Sequence, residues 1–120
     1  MSVRVRITGD KKLRAQLANL GRQARDACAE VVEEWADDVQ NTAEQLVPVD
    51  THYLQTQIED RVDTRALGAE VGIWDDEAYY ARFVEHGTSS MEAQPFLLPA
   101  FEQHRNIRPS LRAALDRYLP

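Results

Sequence analysis

Residues 10–48, DKKLRAQLANLGRQARDACAEVVEEWADDVQNTAEQLVP, decide the fold. Leu13, Leu17, Leu20, Ala24, Cys28, Val31, Trp35, Val39, Ala43 and Leu46 recur at three- and four-residue steps. At 3.6 residues per turn these positions return to one side, which makes them the apolar stripe of a long amphipathic helix. Asp10 suits the N-cap, and the helix must end before Pro48, because the residue preceding a proline avoids helical backbone. A helix of about 36 residues spans roughly 54 Å. Gly21 is its weak point, where it can bend or break. Such a helix is too long for a compact domain of this size to cover. Either it bends, or another copy or a partner buries part of its stripe; the second option is preferred.

The charges of this segment are segregated. Lys11, Lys12, Arg14, Arg22 and Arg25 occupy the first half, and Asp26, Glu30, Glu33, Glu34, Asp37, Asp38 and Glu44 the second. A helix dipole favours acids at its start and bases at its end, so the order runs against it. Each misplaced exposed charge costs at most about 1 kcal/mol, which the fold can tolerate. The pattern therefore serves either pairing of the basic half with an acidic surface, an acidic lining beside passing DNA, or solvation alone.

Outward from the helix, Val3, Val5 and Ile7 alternate with Arg4, Arg6 and Thr8, the period-two pattern of a half-buried strand. After Pro48 a loop holds Asp50 and Thr51, either of which can cap a short helical turn toward Ile58. Ile58, Asp60, Val62 and Thr64 then alternate, as do Ala69, Val71 and Ile73. This predicts a β-hairpin turning at Arg65–Gly68, with Gly68 as the residue of positive φ. Asp75, Asp76 and Glu77 precede a short helix over Ala78–Val84, and His86–Gln94 is a polar loop long enough to be a contact element. Pro95 opens a helix over Phe96–Arg105, and Pro109 a last one carrying Leu111, Leu115, Tyr118 and Leu119. The expected class is α+β, one domain over residues 1–120. Three to four antiparallel strands pack against one long amphipathic helix, with short helices at the C-terminus.

Composition excludes several functions. The 43% hydrophobic and 28% charged residues suit a soluble globular protein rather than a disordered chain. No apolar run approaches the ~18 residues of a membrane span, and no apolar core of a secretory signal follows Met1. Cys28 is the only cysteine, so no internal disulfide forms. With 20 acids against 14 bases the net charge is −6, which argues against a protein built to grip nucleic acid.

No set of residues forms a catalytic or metal centre, and no cofactor is expected. His52, His86 and His104 lack zinc-site spacing. Asp75, Asp76 and Glu77 carry hard oxygen ligands but not the spaced ligands and glycine of a calcium loop. Cys28 lies on the apolar stripe as a small core residue. Tyr79, Tyr80, Phe83, Phe96 and Phe101 are chiefly core, although Tyr79 or Tyr80 can also face outward as an interface anchor.

An ordered set of short motifs carries a resemblance. Val47-Pro48-Val49-Asp50-Thr51 is followed by Leu54 and Ile58, then by Ala69-Glu70-Val71-Gly72. Tyr80-Ala81, Val84-Glu85-His86-Gly87-Thr88 and Gln94-Pro95-Phe96 with Pro99-Ala100 complete the series. In this order and spacing the chain resembles the neck or tail-completion (head–tail joining) proteins of lambda-like long-tailed bacteriophages. One departure is His52, where the family often has glycine, so the turn at Thr51 must be built differently.

The resemblance implies a small α+β fold and a structural, non-enzymatic role. Copies would form a ring at the head–tail junction of the virion, having waited in the host cytoplasm before assembly. The partners implied are further copies and the neighbouring head-completion and tail proteins, with phage DNA passing nearby without sequence-specific binding and no membrane. Carried over, Pro48, Asp50, Thr51, Leu54 and Tyr80 are scaffold positions. Glu85, Gly87 and Thr88 would hold the turn after the short helix, and Gln94, Pro95 and Phe96 the start of the next segment. Gly87 can take a left-handed conformation that stops a helix, and Thr88 can hydrogen-bond the loop backbone. The candidate interface comprises His86, Ser89, Ser90, Met91 and Glu92 in the loop, and Glu33, Glu34, Asp37 and Asp38 on the helix. The rival expectations are a cytoplasmic protein-interaction adaptor or toxin-type module, and a small metal-dependent hydrolase using Asp75, Asp76, Glu77 and His86.

Overall fold

A computed structural model describes residues 3–7, 21–48, 52–65, 67–74 and 78–117. Among these the chain order is β1 (Val3–Ile7), α1 (Arg22–Leu46), α2 (His52–Gln57), β2 (Glu59–Asp63), β3 (Gly68–Ile73), α3 (Ala78–His86), α4 (Leu97–His104) and α5 (Arg108–Asp116). The architecture is α+β: a three-stranded antiparallel sheet, one long helix against it, and short helices at the C-terminal end.

The strand order is β1-β3-β2, which puts the most apolar strand in the centre. Arg6, Glu70 and Arg61 stand in one cross-strand row, and Val5, Val71 and Asp60 in the next. Because alternate residues point to opposite faces, one face of the sheet is charged and the other apolar except at Asp60. Arg4 Nη1 approaches Glu70 Oε2 to 2.9 Å on the charged face. Arg61 lies over the Trp74 ring at 4.0 Å from its centre, a cation–π contact.

Helix α1 covers the apolar face. Ala24, Cys28, Val31, Val32, Trp35, Ala36, Val39 and Ala43 are all buried, the spacing expected of its stripe. Val32 to Ala43 join Val71, Ile73, Leu54, Ile58, Val84, Phe96 and Leu97 in the main core, where Phe101 meets Trp35 edge to face at 6.1 Å. A smaller cluster holds Cys28 and Leu67 under Leu111 and Leu115 of α5.

Three boundaries differ from the sequence reading. Gly21 has φ 90° and ψ 178°, a conformation no helix passes through, so α1 starts at Arg22, just after the weak point predicted there. Leu13, Leu17 and Leu20, with the N-cap proposed at Asp10, lie outside the described residues, as do Tyr118 and Leu119. In the hairpin, Leu67 rather than Gly68 takes the positive φ, at 51°. Its side chain is buried against Cys28. Burial of a leucine contributes about 2 kcal/mol, enough to offset the roughly 1–2 kcal/mol of left-handed backbone. Helix α4 begins at Leu97, so Pro95 precedes the N-cap Phe96 instead of occupying the first turn.

Candidate functional site

The polar residues singled out between Tyr80 and Phe96 converge on one piece of geometry. Helix α3 ends at His86, and the N–H of Gly87 donates to the Phe83 carbonyl at 2.7 Å. Gly87 has φ 76°, and a Cβ there would lie 2.8 Å from Ala93 N and 2.9 Å from Met91 O. Glycine is therefore required twice over, by backbone conformation and by the approach of the returning chain. Thr88 N donates to Met91 O at 2.8 Å, Ser90 N to Thr88 Oγ1 at 3.3 Å, and Gln94 N to Val84 O at 2.8 Å. The loop is thus closed on itself by backbone hydrogen bonds. His86, Ser89, Ser90, Glu92 and Gln94 are exposed and Met91 is half-buried.

Glu85 is the one charged residue in the described core, 5% exposed. Its Oε1 accepts from Phe96 N at 3.1 Å and Leu97 N at 2.8 Å, and its Oε2 from Leu98 N at 3.2 Å. A helix leaves its first four N–H groups without partners inside the helix. Here three go to Glu85 and the fourth residue is Pro99, which has none to satisfy. A buried carboxylate needs such compensation, and the positive end of the helix dipole adds to it. The resemblance assigned Glu85 to the turn after α3. Its carboxylate reaches eleven residues onward and ties α3 to α4.

The other predicted positions are more dispersed. Leu54 is buried, and Pro48 is half-buried at the end of α1. Asp50 and Thr51 lie outside the described residues, as do Asp75, Asp76 and Glu77. Tyr80 is 50% exposed, which places it outside the core group of aromatics. His86 is exposed, and among the described residues no group of three or more His, Cys, Asp or Glu could hold a metal.

Glu33, Glu34, Asp37 and Asp38 form an exposed acidic ridge on α1, continued toward its start by Glu30. Behind the ridge Asp60, on the inward row of edge strand β2, meets Asp37. Burial pushes the Asp60 carboxyl above its ordinary value, and repulsion from Asp37, a hydrogen bond with it, and the nearby Glu59 act the same way. Sequence alternation put Asp60 among inward-facing residues, but nothing in it showed that Asp37 would be opposite.

At the other end of α1, Arg22 and Arg25 meet Arg65 from the hairpin turn around a cavity of about 460 Å³, also lined by Gly21, Asp26, Ala29 and Thr64. The sequence marks Arg65 only as a turn residue, and the tertiary fold brings it to Arg22 and Arg25.

In these arrangements polar chemistry ties helices together and marks exposed surfaces of an α+β fold. Residues 11–87 match the HK97-gp10-like family model, described as "Bacteriophage HK97-gp10, putative tail-component". That span is more than half of the chain, and the chain belongs to this family. It is accordingly a phage tail component of structural type, with its place in the virion. The match stops at Gly87, so Gln94, Pro95 and Phe96 lie beyond it. No curated protein and no solved structure matches the chain. Among the described residues no helix is long and apolar enough to cross a membrane.

Proposed function

We propose that the chain is a non-enzymatic neck or tail-completion protein, which assembles with further copies into a ring at the head–tail junction. The observation that carries this reading is the acidic ridge of α1. Glu33, Glu34, Asp37 and Asp38 are all exposed, and among the described residues none of them has a cation within ion-pair distance. Four adjacent carboxylates repel one another, and a complementary surface elsewhere in the particle relieves that repulsion. The exposed loop over Ser89, Ser90 and Glu92, with Met91 and His86 at its base, supplies a second contact on the clamp made by Glu85 and Gly87. The further partners are the neighbouring head-completion and tail proteins. DNA passes the acidic surface without being held, and before assembly the chain resides in the host cytoplasm.

Electron microscopy of a lysate from the phage or prophage lacking this gene tests the reading. Filled heads and separate tails are expected. Intact particles would overturn the joining role and favour an adaptor. Changing Glu33, Glu34, Asp37 and Asp38 to lysine should leave the fold intact and block assembly, and normal infectious particles from that variant would remove the ridge from the mechanism.

A further inference from the structure

We infer that the cleft between Arg22, Arg25 and Arg65 is the receptor for the acidic ridge of a second copy of this chain. The inference rests on the reading of the chain as an assembling component and names the surface that its ridge would meet. Three guanidiniums and one carboxylate, that of Asp26, surround the cavity of about 460 Å³. Among the described residues none of the three arginines has a carboxylate within ion-pair distance, and the same holds for Glu30, Glu33, Glu34, Asp37 and Asp38. Two exposed clusters of opposite net sign, neither ion-paired among the described residues, therefore lie at the two halves of α1.

No ion pair joins them within one molecule among the described residues. Five residues separate Arg25 from Glu30 and eight separate it from Glu33, about 7.5 and 12 Å along the helix axis. Both exceed ion-pair reach, and the distance to Glu33 also exceeds the Debye length of about 8 Å at physiological salt. A second copy supplies the missing charges directly. Arginine favours this use, because its planar fork binds carboxylates through paired N–H donors. A nucleic acid phosphate offers similar chemistry, but a polyanion entering the cleft would run beside five exposed carboxylates on a chain of net charge −6. The charge balance therefore favours a carboxylate-bearing copy over DNA.

Sedimentation of the full chain at low and high ionic strength tests the inference, with two charge-reversed variants alongside. The first is Arg22→Glu with Arg25→Glu and Arg65→Glu. The second is Glu30→Lys with Glu33→Lys and Glu34→Lys, which leaves the Asp37–Asp60 contact untouched. Wild-type chain should self-associate at low salt and dissociate as salt rises. Each variant alone should associate more than about tenfold more weakly. An equimolar mixture of the two should recover association, which also shows that both are folded. A wild-type chain monomeric at every salt concentration, or a mixture that fails to recover, overturns the inference. So does duplex DNA binding that the arginine variant loses while its self-association is unchanged. Particle incorporation is scored separately. An arginine variant that enters virions normally refutes the cleft and leaves the head–tail reading standing. A chain that pairs through the cleft but is missing from purified virions refutes only that reading.

Discussion

Helix α4 starts on Phe96 with three N–H groups held by the buried Glu85 and a proline at the fourth position. Helix α1 starts on Gly21, which has no side chain to cap it, and its first turn carries no acid. Arg22 and Arg25 stand there instead, beside Arg65. The difference separates two uses of a helix terminus. One is closed by the chain's own carboxylate and fixes the position of a neighbouring element. The other keeps its positive field, reinforced by arginines, facing an open cavity. A buried terminus must be satisfied from within, because an unmade hydrogen bond there costs about 1–3 kcal/mol. An exposed one has no such constraint and can be kept for a partner.

Removing the closure should have the largest effect. Glu85→Ala leaves three donors without an acceptor and should destabilise the protein by about 3 kcal/mol in urea unfolding. Glu85→Gln keeps one carbonyl oxygen, able to accept from Phe96 N and Leu97 N but not also from Leu98 N. It should cost about half as much, and equal losses in the two variants would show that the carboxylate's pairing is not what matters. Gly87→Ala forces a side chain into left-handed backbone and against Ala93 and Met91, for an expected loss of about 2 kcal/mol.

The ridge contributes a smaller, pH-dependent term. Asp60 titrates above its ordinary 3.8 in the folded chain, so the folded state binds its proton more tightly than the unfolded state does. The corresponding stability is fully present below the unfolded pKa and is lost as pH rises through the folded pKa. Asp60→Asn should remove this part of the slope and raise stability at neutral pH, as read from urea midpoints across pH 3 to 7. An unchanged slope would refute the raised pKa of Asp60. The smallest effect is expected at the open terminus, where Gln23→Glu places an acid in the first turn of α1. A gain of about 0.5 kcal/mol is expected there from the helix dipole, and a loss would mean that this terminus is already compensated.

Much of the fold is legible in the residues themselves. The apolar steps from Ala24 to Ala43, the strand over Val3–Ile7, and the helix start after Gly21 each follow a local rule that the tertiary structure leaves in place. Leu67 shows where local rules stop. Glycine next door is the better left-handed residue on backbone grounds, but only the folded core offers the leucine side chain a place to be buried. The same limit applies to the functional surfaces. Glu85 and Phe96 could be recognised as motif positions, yet the distance of eleven residues between them conceals the hydrogen bond until α3 and α4 are packed. Arg65 and Arg22 lie still further apart, and periodicity does not report on pairs brought together by a sheet and a helix.

The small cluster beneath α5 provides a built-in stopwatch. Cys28 is the chain's only thiol. It has no exposed surface and is held above its ordinary pKa by burial. Leu111 and Leu115 of α5 help to cover it, yet α5 itself has no fully buried residue. A thiol reagent added to the native protein should therefore be consumed at the rate at which α5 lifts from α1, well below the urea concentration that unfolds the whole chain. When copies join, any change in that rate would time, from inside the molecule, whether assembly fastens its C-terminal helix.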